Sequence, residues 1–227
     1  MNKTNNTNEK DILLNILKFW ETNQKRIFTI VGAIAVVIGG WYVYTEYMVA
    51  PKEKKAQESI FKAEEYFAQD SSKKVLDGDG TSKGVLYVIK NYSGTKAANL
   101  AHYYAGISYL KLGEFTKAVD HLKDFSSKSD PIQMVAFGAL ADAYSELKKN
   151  DLAVENYKKA ASTFPTDELT SAEYLWRAGQ LLETINKPND ALDLYKEIKT
   201  KFPKAKAGEI EKYIYRLSIE KNEFSVK

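Results

Sequence analysis

Apolar and polar positions divide the chain into three regimes. Residues 1–8 (MNKTNNTN) are polar and simple in composition, which predicts a disordered tail. Across residues 9–26, Ile12, Leu13, Ile16, Leu17 and Trp20 recur at helical spacing and form one apolar stripe. That stripe predicts an amphipathic juxtamembrane helix. It would lie in a membrane interface with Trp20 at headgroup level, or pack on another protein's surface. From Ile27 to Thr45 no residue is charged, and Trp41, Tyr42 and Tyr44 cluster at the far end. A helix of that length rises about 28 Å, close to the thickness of a bilayer's hydrocarbon core. Residues 27–49 are therefore read as a transmembrane helix, with the lipid bilayer as a partner.

A retained anchor fits this segment better than a cleaved signal. Twenty-six residues precede the apolar run, and the best cleavage position, after Ala50, has Met48 at −3 and Pro51 next. A signal peptide wants a short basic start and a small-x-small site. Lys25 and Arg26 on one side face Lys52, Lys54 and Lys55 on the other, so charge favours a cytoplasmic N-terminus only narrowly. Within the span, Ala35 and Gly39 form a small-xxx-small pair at which a partner helix could approach closely.

Beyond Pro51 the pattern is helical nearly to the end. In residues 50–95, charges alternate with Ile60, Phe61, Ala63, Phe67 and Ala68, which predicts a degenerate first helical hairpin. Its loop, DSSKKVLDGDGTSK, is followed by a short helix, GVLYVIKNY, that ends at Ser93-Gly94. The DGDG of Asp77–Gly80 is a fragment of a calcium-loop pattern, but Lys83 and apolar residues stand where further oxygen ligands belong. It reads as a turn.

From 96 to 205 the chain repeats itself three times. Tyr109 to Ala118, Tyr144 to Ala153 and Leu182 to Ala191 share one spacing. A small residue stands three positions before each (Gly106, Ala141, Gly179), and a bulky one four positions after (Leu122, Tyr157, Tyr195). Gly113 lies in the first turn. Phe164-Pro165 and Phe202-Pro203 close the second and third units, since proline cannot donate the next helical hydrogen bond. The alanine-to-alanine periods are 35 and 38 residues. This resembles the tetratricopeptide repeat, a helix-turn-helix unit of 34 residues in which small side chains let two antiparallel helices cross closely. The resemblance implies an all-α chain: one N-terminal transmembrane helix, then an α-solenoid closed by a capping helix over 206–227. It also implies a protein-binding groove lined by the first helix of each unit. The groove positions are Leu100, Tyr103, Ile107 and Leu110; Val135, Asp142 and Glu146; Trp176, Gln180 and Glu183.

Composition narrows the chemistry. The net charge is +3 with lysine and glutamate interspersed, and no basic block is interleaved with aromatics, so nucleic acid is not an expected partner. Without cysteine there is no disulfide, thiolate zinc site, cysteine nucleophile or lipid-modified cysteine. The two histidines, His102 and His121, lie 19 residues apart, which fits no usual metal spacing, so both read as surface or packing residues. No catalytic, metal or cofactor-binding residue is predicted: Glu64 and Glu65 splay apart on their helix, and no nucleophile elbow or phosphate loop occurs.

A short N-terminal segment, one anchor and helical repeats to the end are similar to a bacterial family of membrane-anchored tetratricopeptide proteins. These are related to the ancillary subunit of the Sec translocon. The stretch GVLYVIKNYSGTKAANLAHYYAGISYLKLGEFTKAVDHLKDF resembles the versions found in Bacteroidota. That resemblance implies an inner-membrane protein with a cytoplasmic N-terminus and a periplasmic repeat domain. It would act beside SecYEG with a membrane-anchored prolyl-isomerase-type chaperone, as a non-catalytic helper that binds unfolded secreted chains. A tethered scaffold for another envelope assembly, such as cytochrome maturation, is the alternative, and an enzyme is disfavoured.

Overall fold

The computed structural model describes residues 5–205 and 207–220, and the chain divides into two units at Lys52/Glu53. In the first unit, helix α1 (Asn5–Tyr44) is followed by a π-helical turn, Thr45–Val49. The helix takes in Asn5–Asn8, which the composition placed in a disordered tail, while residues 1–4 lie outside the described residues. It also runs unbroken through 26/27, where the sequence suggested separate amphipathic and spanning helices. No proline precedes Pro51 and no glycine precedes Gly32, so extending the helix costs little at each step. The π turn has a local cause. Pro51 has no N–H, and its ring collides with the carbonyl four residues back in an α-helix. The Ala50 N–H bonds Thr45 O, five residues back, which widens the helix just before the proline.

The second unit is built of helical hairpins. Helix α2 (Ala50–Ala68) is followed by α3 (Ser72–Asp77) and α4 (Val85–Asn91). Then come α5 (Lys96–Lys111) with α6 (Phe115–Asp124), α7 (Asp130–Glu146) with α8 (Asn150–Thr163), and α9 (Glu168–Thr184) with α10 (Pro188–Lys201). Helix α11 (Ala207–Glu220) follows; residues 206 and 221–227 of the predicted cap lie outside the described residues. Each hairpin packs on the next, α6 on α7, α8 on α9 and α10 on α11.

One turn recurs four times. Asp70, Gly113, Lys148 and Asn186 carry φ of 57°, 77°, 57° and 59°. The next residue's N–H (Ser71, Glu114, Lys149, Lys187) bonds a carbonyl five residues back (Tyr66, Tyr109, Tyr144, Leu182) at 2.8–2.9 Å. These are left-handed helix ends that satisfy carbonyls otherwise orphaned. Their equivalence puts α2–α3 in register with the three repeats. Ala63, Tyr66 and Val75 occupy the places of Gly106, Tyr109 and Ala118. Val75, Ala118, Ala153 and Ala191 are all fully buried at their crossings.

Part of the predicted loop 70–83 is therefore helical: α3 forms because Val75 and Leu76 are buried beneath it. The helix stops where Gly78 turns with φ of 87° and Gly84 passes so close that a Cβ there would lie 2.6 Å from Asp77 N. Between them the DGDG segment is a turn. Asp79 accepts from the Tyr66 hydroxyl (2.6 Å) and from the N–H groups of Thr81 (2.9 Å) and Ser82 (2.6 Å). Helix α4 then packs Val85 and Val88 on α5.

The Asp79 carboxyl is lowered to about 2, first by the Tyr66 hydroxyl and then by the Ser82 and Thr81 amides. A depressed folded-state value contributes stability above the ordinary value of 3.8, and that stability is lost as pH falls toward 2. Asp79→Asn is expected to lower the melting temperature at pH 6. Its deficit against the parent should close between about pH 4 and pH 2 in a calorimetric series. A deficit constant with pH would mean the charge does not matter.

Candidate functional site

The first helices of the hairpins are α2, α5, α7 and α9, and all ten predicted groove residues lie on the last three. Local chemistry sets where these helices begin. Thr95 caps α5 by accepting from Ala98 N (3.0 Å), and the Glu53 carboxylate accepts from Lys96 N (2.7 Å) and Ala97 N (3.0 Å). Asp167 caps α9 through Thr170 N (3.1 Å), and Pro131 stands in the first turn of α7. Helix α2 lies parallel to α5. The Glu53 contact joins their starts, the Phe67 ring meets Tyr104 at 4.7 Å, and Lys111 pairs with Asp70 near their ends.

The ten groove residues have different surroundings. Leu100, Ile107 and Trp176 are half-buried and pack on the core, Trp176 edge-on to Tyr213 at 6.3 Å. Val135 is exposed and Gln180 half-buried. Tyr103 sits in an aromatic cluster with Phe67 (6.3 Å), Tyr104 (5.6 Å) and Phe125 (5.2 Å). Its neighbour Tyr104 bonds Glu64 at 3.4 Å, and burial, then that carboxylate, raises it to about 12.

Asp142 and Glu183 carry the electrostatics between repeats. The Tyr157 hydroxyl donates to Asp142 Oδ1 (2.5 Å), while Arg177 from the next hairpin donates to both Asp142 oxygens (3.2 and 3.4 Å) and to Glu173 (3.2 Å). One hairpin on, the Tyr195 hydroxyl donates to Glu183 (2.7 Å), and Arg216 of α11 donates to its other oxygen (2.6 Å). Burial first, and then the carboxylate, pushes both tyrosines up. Asp142 and Glu183 thus each tie their own hairpin to the next element. Neither arginine is marked by the sequence pattern: Arg177 follows Asp142 by 35 residues, three short of the 38-residue period between the second and third units.

Leu110, Asp142 and Glu146 converge. With Phe115, Tyr157 and Arg177 they line a cleft of about 390 Å³ between the first and second hairpins of the regular array and the middle of α9. A larger cleft, about 730 Å³, lies on the opposite, second-helix side between α8 and α10, over Val154, Ala161, Leu175 and Phe202. Several of its rim charges are paired: Lys159 with Glu155 (2.6 Å), Lys201 with Glu197 (2.7 Å) and, alongside, Lys187 with Asp151 (2.8 Å). Pro165 lines this side.

The repeat-signature residues are structural. Gly106 lies against Leu122, Gly179 against Tyr195, and Ala118, Ala141, Ala153 and Ala191 are fully buried. Tyr109, Tyr144 and Leu182 are buried, Gly113 supplies a positive φ, and Pro203 is exposed. Ala35 and Gly39 are exposed on α1, with open space beside Gly39. His102 and His121, far apart in sequence, meet with their Nδ1 atoms at 3.2 Å, and His121 stacks on Tyr109 at 5.4 Å. Burial lowers both; the charge of His102 lowers His121 further. Among the described residues no three histidine or carboxylate side chains converge to hold a metal ion.

The model of the tetratricopeptide repeat-like domain matches residues 17–214. That span covers the hairpins and most of the apolar helix. A comparison with curated proteins returned no match.

Proposed function

Since this chain belongs to the family of tetratricopeptide repeat-like domains, we propose that it is a non-catalytic adaptor. It is held at a membrane by α1 and binds protein segments along its first-helix face. The observation that carries the reading is the pairing of interaction repeats with a helix whose apolar side chains are bare. Val36 and Val37 are 75% and 71% exposed, and one window of this helix is long and apolar enough to cross a bilayer. A tether raises the effective concentration of a weak groove near its clients.

The resemblance of the whole architecture to the ancillary Sec subunits supports the finer assignment. In it, the N-terminus is cytoplasmic and the repeats stand on the periplasmic face of a bacterial inner membrane. There they act beside SecYEG and a membrane-anchored prolyl-isomerase-type chaperone, and receive unfolded secreted chains. Orientation can be read with a single cysteine. Asp79 is unsuitable because it holds the turn, but Thr81 beside it is exposed. In cells with a permeabilised outer membrane, Thr81→Cys is expected to react at once with an impermeant maleimide. Native-level purification in mild detergent is expected to bring translocon subunits. Labelling only after inner-membrane lysis, or partners from another envelope assembly, would replace the Sec assignment with the scaffold reading.

A further inference from the structure

The cleft at Leu110, Asp142 and Glu146 has a charge that its own residues leave uncompensated. Among the described residues Arg177 is the one cation lining it, and two carboxylates already share it: Asp142 through both oxygens and Glu173 through Nε. Glu146 also lines the cleft and is exposed, so among the described lining residues two carboxylates stand against one guanidinium, an excess of one negative charge. The nearby lysines do not correct this. Lys111 pairs with Asp70 and Lys117 with Glu114, while Lys148 and Lys149 lie beyond Leu147 in the turn and do not line the cleft. The opposite wall is apolar, formed by Leu110 and Phe115. The Tyr157 hydroxyl is committed to Asp142. An apolar wall facing a spare carboxylate suits a side chain with an aliphatic stem and a cationic head.

We propose that this cleft is a specificity pocket for a lysine or arginine side chain of a bound protein segment. The stem lies on Leu110 and Phe115, and the head is held by Glu146. The inference deepens the adaptor reading and rests on it. By contrast, the larger second-helix cleft is lined by three carboxylates and three lysines, which sum to no net charge and select no sign.

The test uses the full-length protein in detergent micelles and two fluorescent twelve-residue peptides, one of alternating leucine and lysine and one of alternating leucine and serine, read by anisotropy. Glu146→Gln removes the spare charge from an exposed position, and Glu155→Gln on the second-helix face removes an equal charge elsewhere. The lysine peptide is expected to bind the parent more tightly than the serine peptide. Glu146→Gln should weaken it about fivefold, the upper end for an ion pair at an exposed carboxylate, and Glu155→Gln by less than about twofold. Glu146→Lys should abolish the lysine peptide's advantage. Equal weakening by Glu146→Gln and Glu155→Gln, or none by either, would overturn the pocket while leaving the groove reading intact. Failure of both peptides to bind the parent would overturn both.

Discussion

Tyr195→Ala is expected to destabilise the repeat domain by about 3–5 kcal/mol, the cost of truncating a large core aromatic. The Tyr195 side chain is fully buried, its ring stands 5.2 Å from Tyr213, and its hydroxyl holds Glu183, which also binds Arg216. The loss therefore loosens both the last hairpin and the docking of α11. Tyr195→Phe should lose only the hydrogen bond to the carboxylate, about 1.5–3 kcal/mol. The same ring explains Gly179. A Cβ there would lie 2.8 Å from Tyr195 Cζ, so Gly179→Ala forces the ring aside and should cost about 1–3 kcal/mol. In the second hairpin Ala141 stands at the equivalent position and is fully buried. In the Tyr195→Ala background the added methyl has room, so the double variant should fall short of the sum by at least about 1 kcal/mol. Trp176 is a natural reporter: with Trp20 and Trp41 changed to phenylalanine, its fluorescence follows urea unfolding of this region alone. Strict additivity would show that the glycine is not there for the ring.

Two charges in the middle of the apolar run should release the protein from membranes. Val36→Arg with Val37→Arg places both at the centre of the 27–45 segment. Each central arginine costs about 2.5–3.5 kcal/mol on an insertion scale, so the pair costs roughly 5–7 kcal/mol. The parent is expected in the carbonate-resistant membrane fraction and the variant largely in the supernatant. Phe61→Arg is the control. Phe61 is comparably exposed, at 62%, but lies on α2 in the other unit, and its replacement should leave partitioning unchanged. If the parent itself is extracted by carbonate, α1 does not span.

The first hairpin marks where reading the sequence stopped short. Ala63, Tyr66 and Val75 have the spacing of Gly106, Tyr109 and Ala118. A degenerate hairpin is legible over 50–95, but its register with the repeats and its second helix are not, because valine replaces the usual alanine and because three glycines, Gly78, Gly80 and Gly84, cut that helix at Asp77. Only the shared turn at Asp70, with its Ser71-to-Tyr66 hydrogen bond, restores the register. Lys148 and Asn186 were silent for a related reason. A non-glycine residue gives little sign that it will take a left-handed conformation, although Gly113 at the equivalent place does. The site shows the same division. Asp142 and Glu183 are legible as polar positions on first helices. That each is already engaged by a tyrosine of its own hairpin and an arginine of the next depends on how neighbouring repeats stack.

The helical character, the bare apolar segment and the repeat period were determined by sequence alone. They are set by local and short-range physics: a period of 3.6, the absence of charge over a bilayer's thickness, and small residues where helices cross. The tertiary structure alone decided which carboxylates are spent and which is spare, which cleft carries net charge, and that His102 meets His121. Those outcomes depend on contacts between residues 19 to 35 positions apart, as in His102–His121 and Asp142–Arg177. The stacking angle and rotamers of whole hairpins bring such groups to within a few ångströms, and no local pattern of residues encodes that distance.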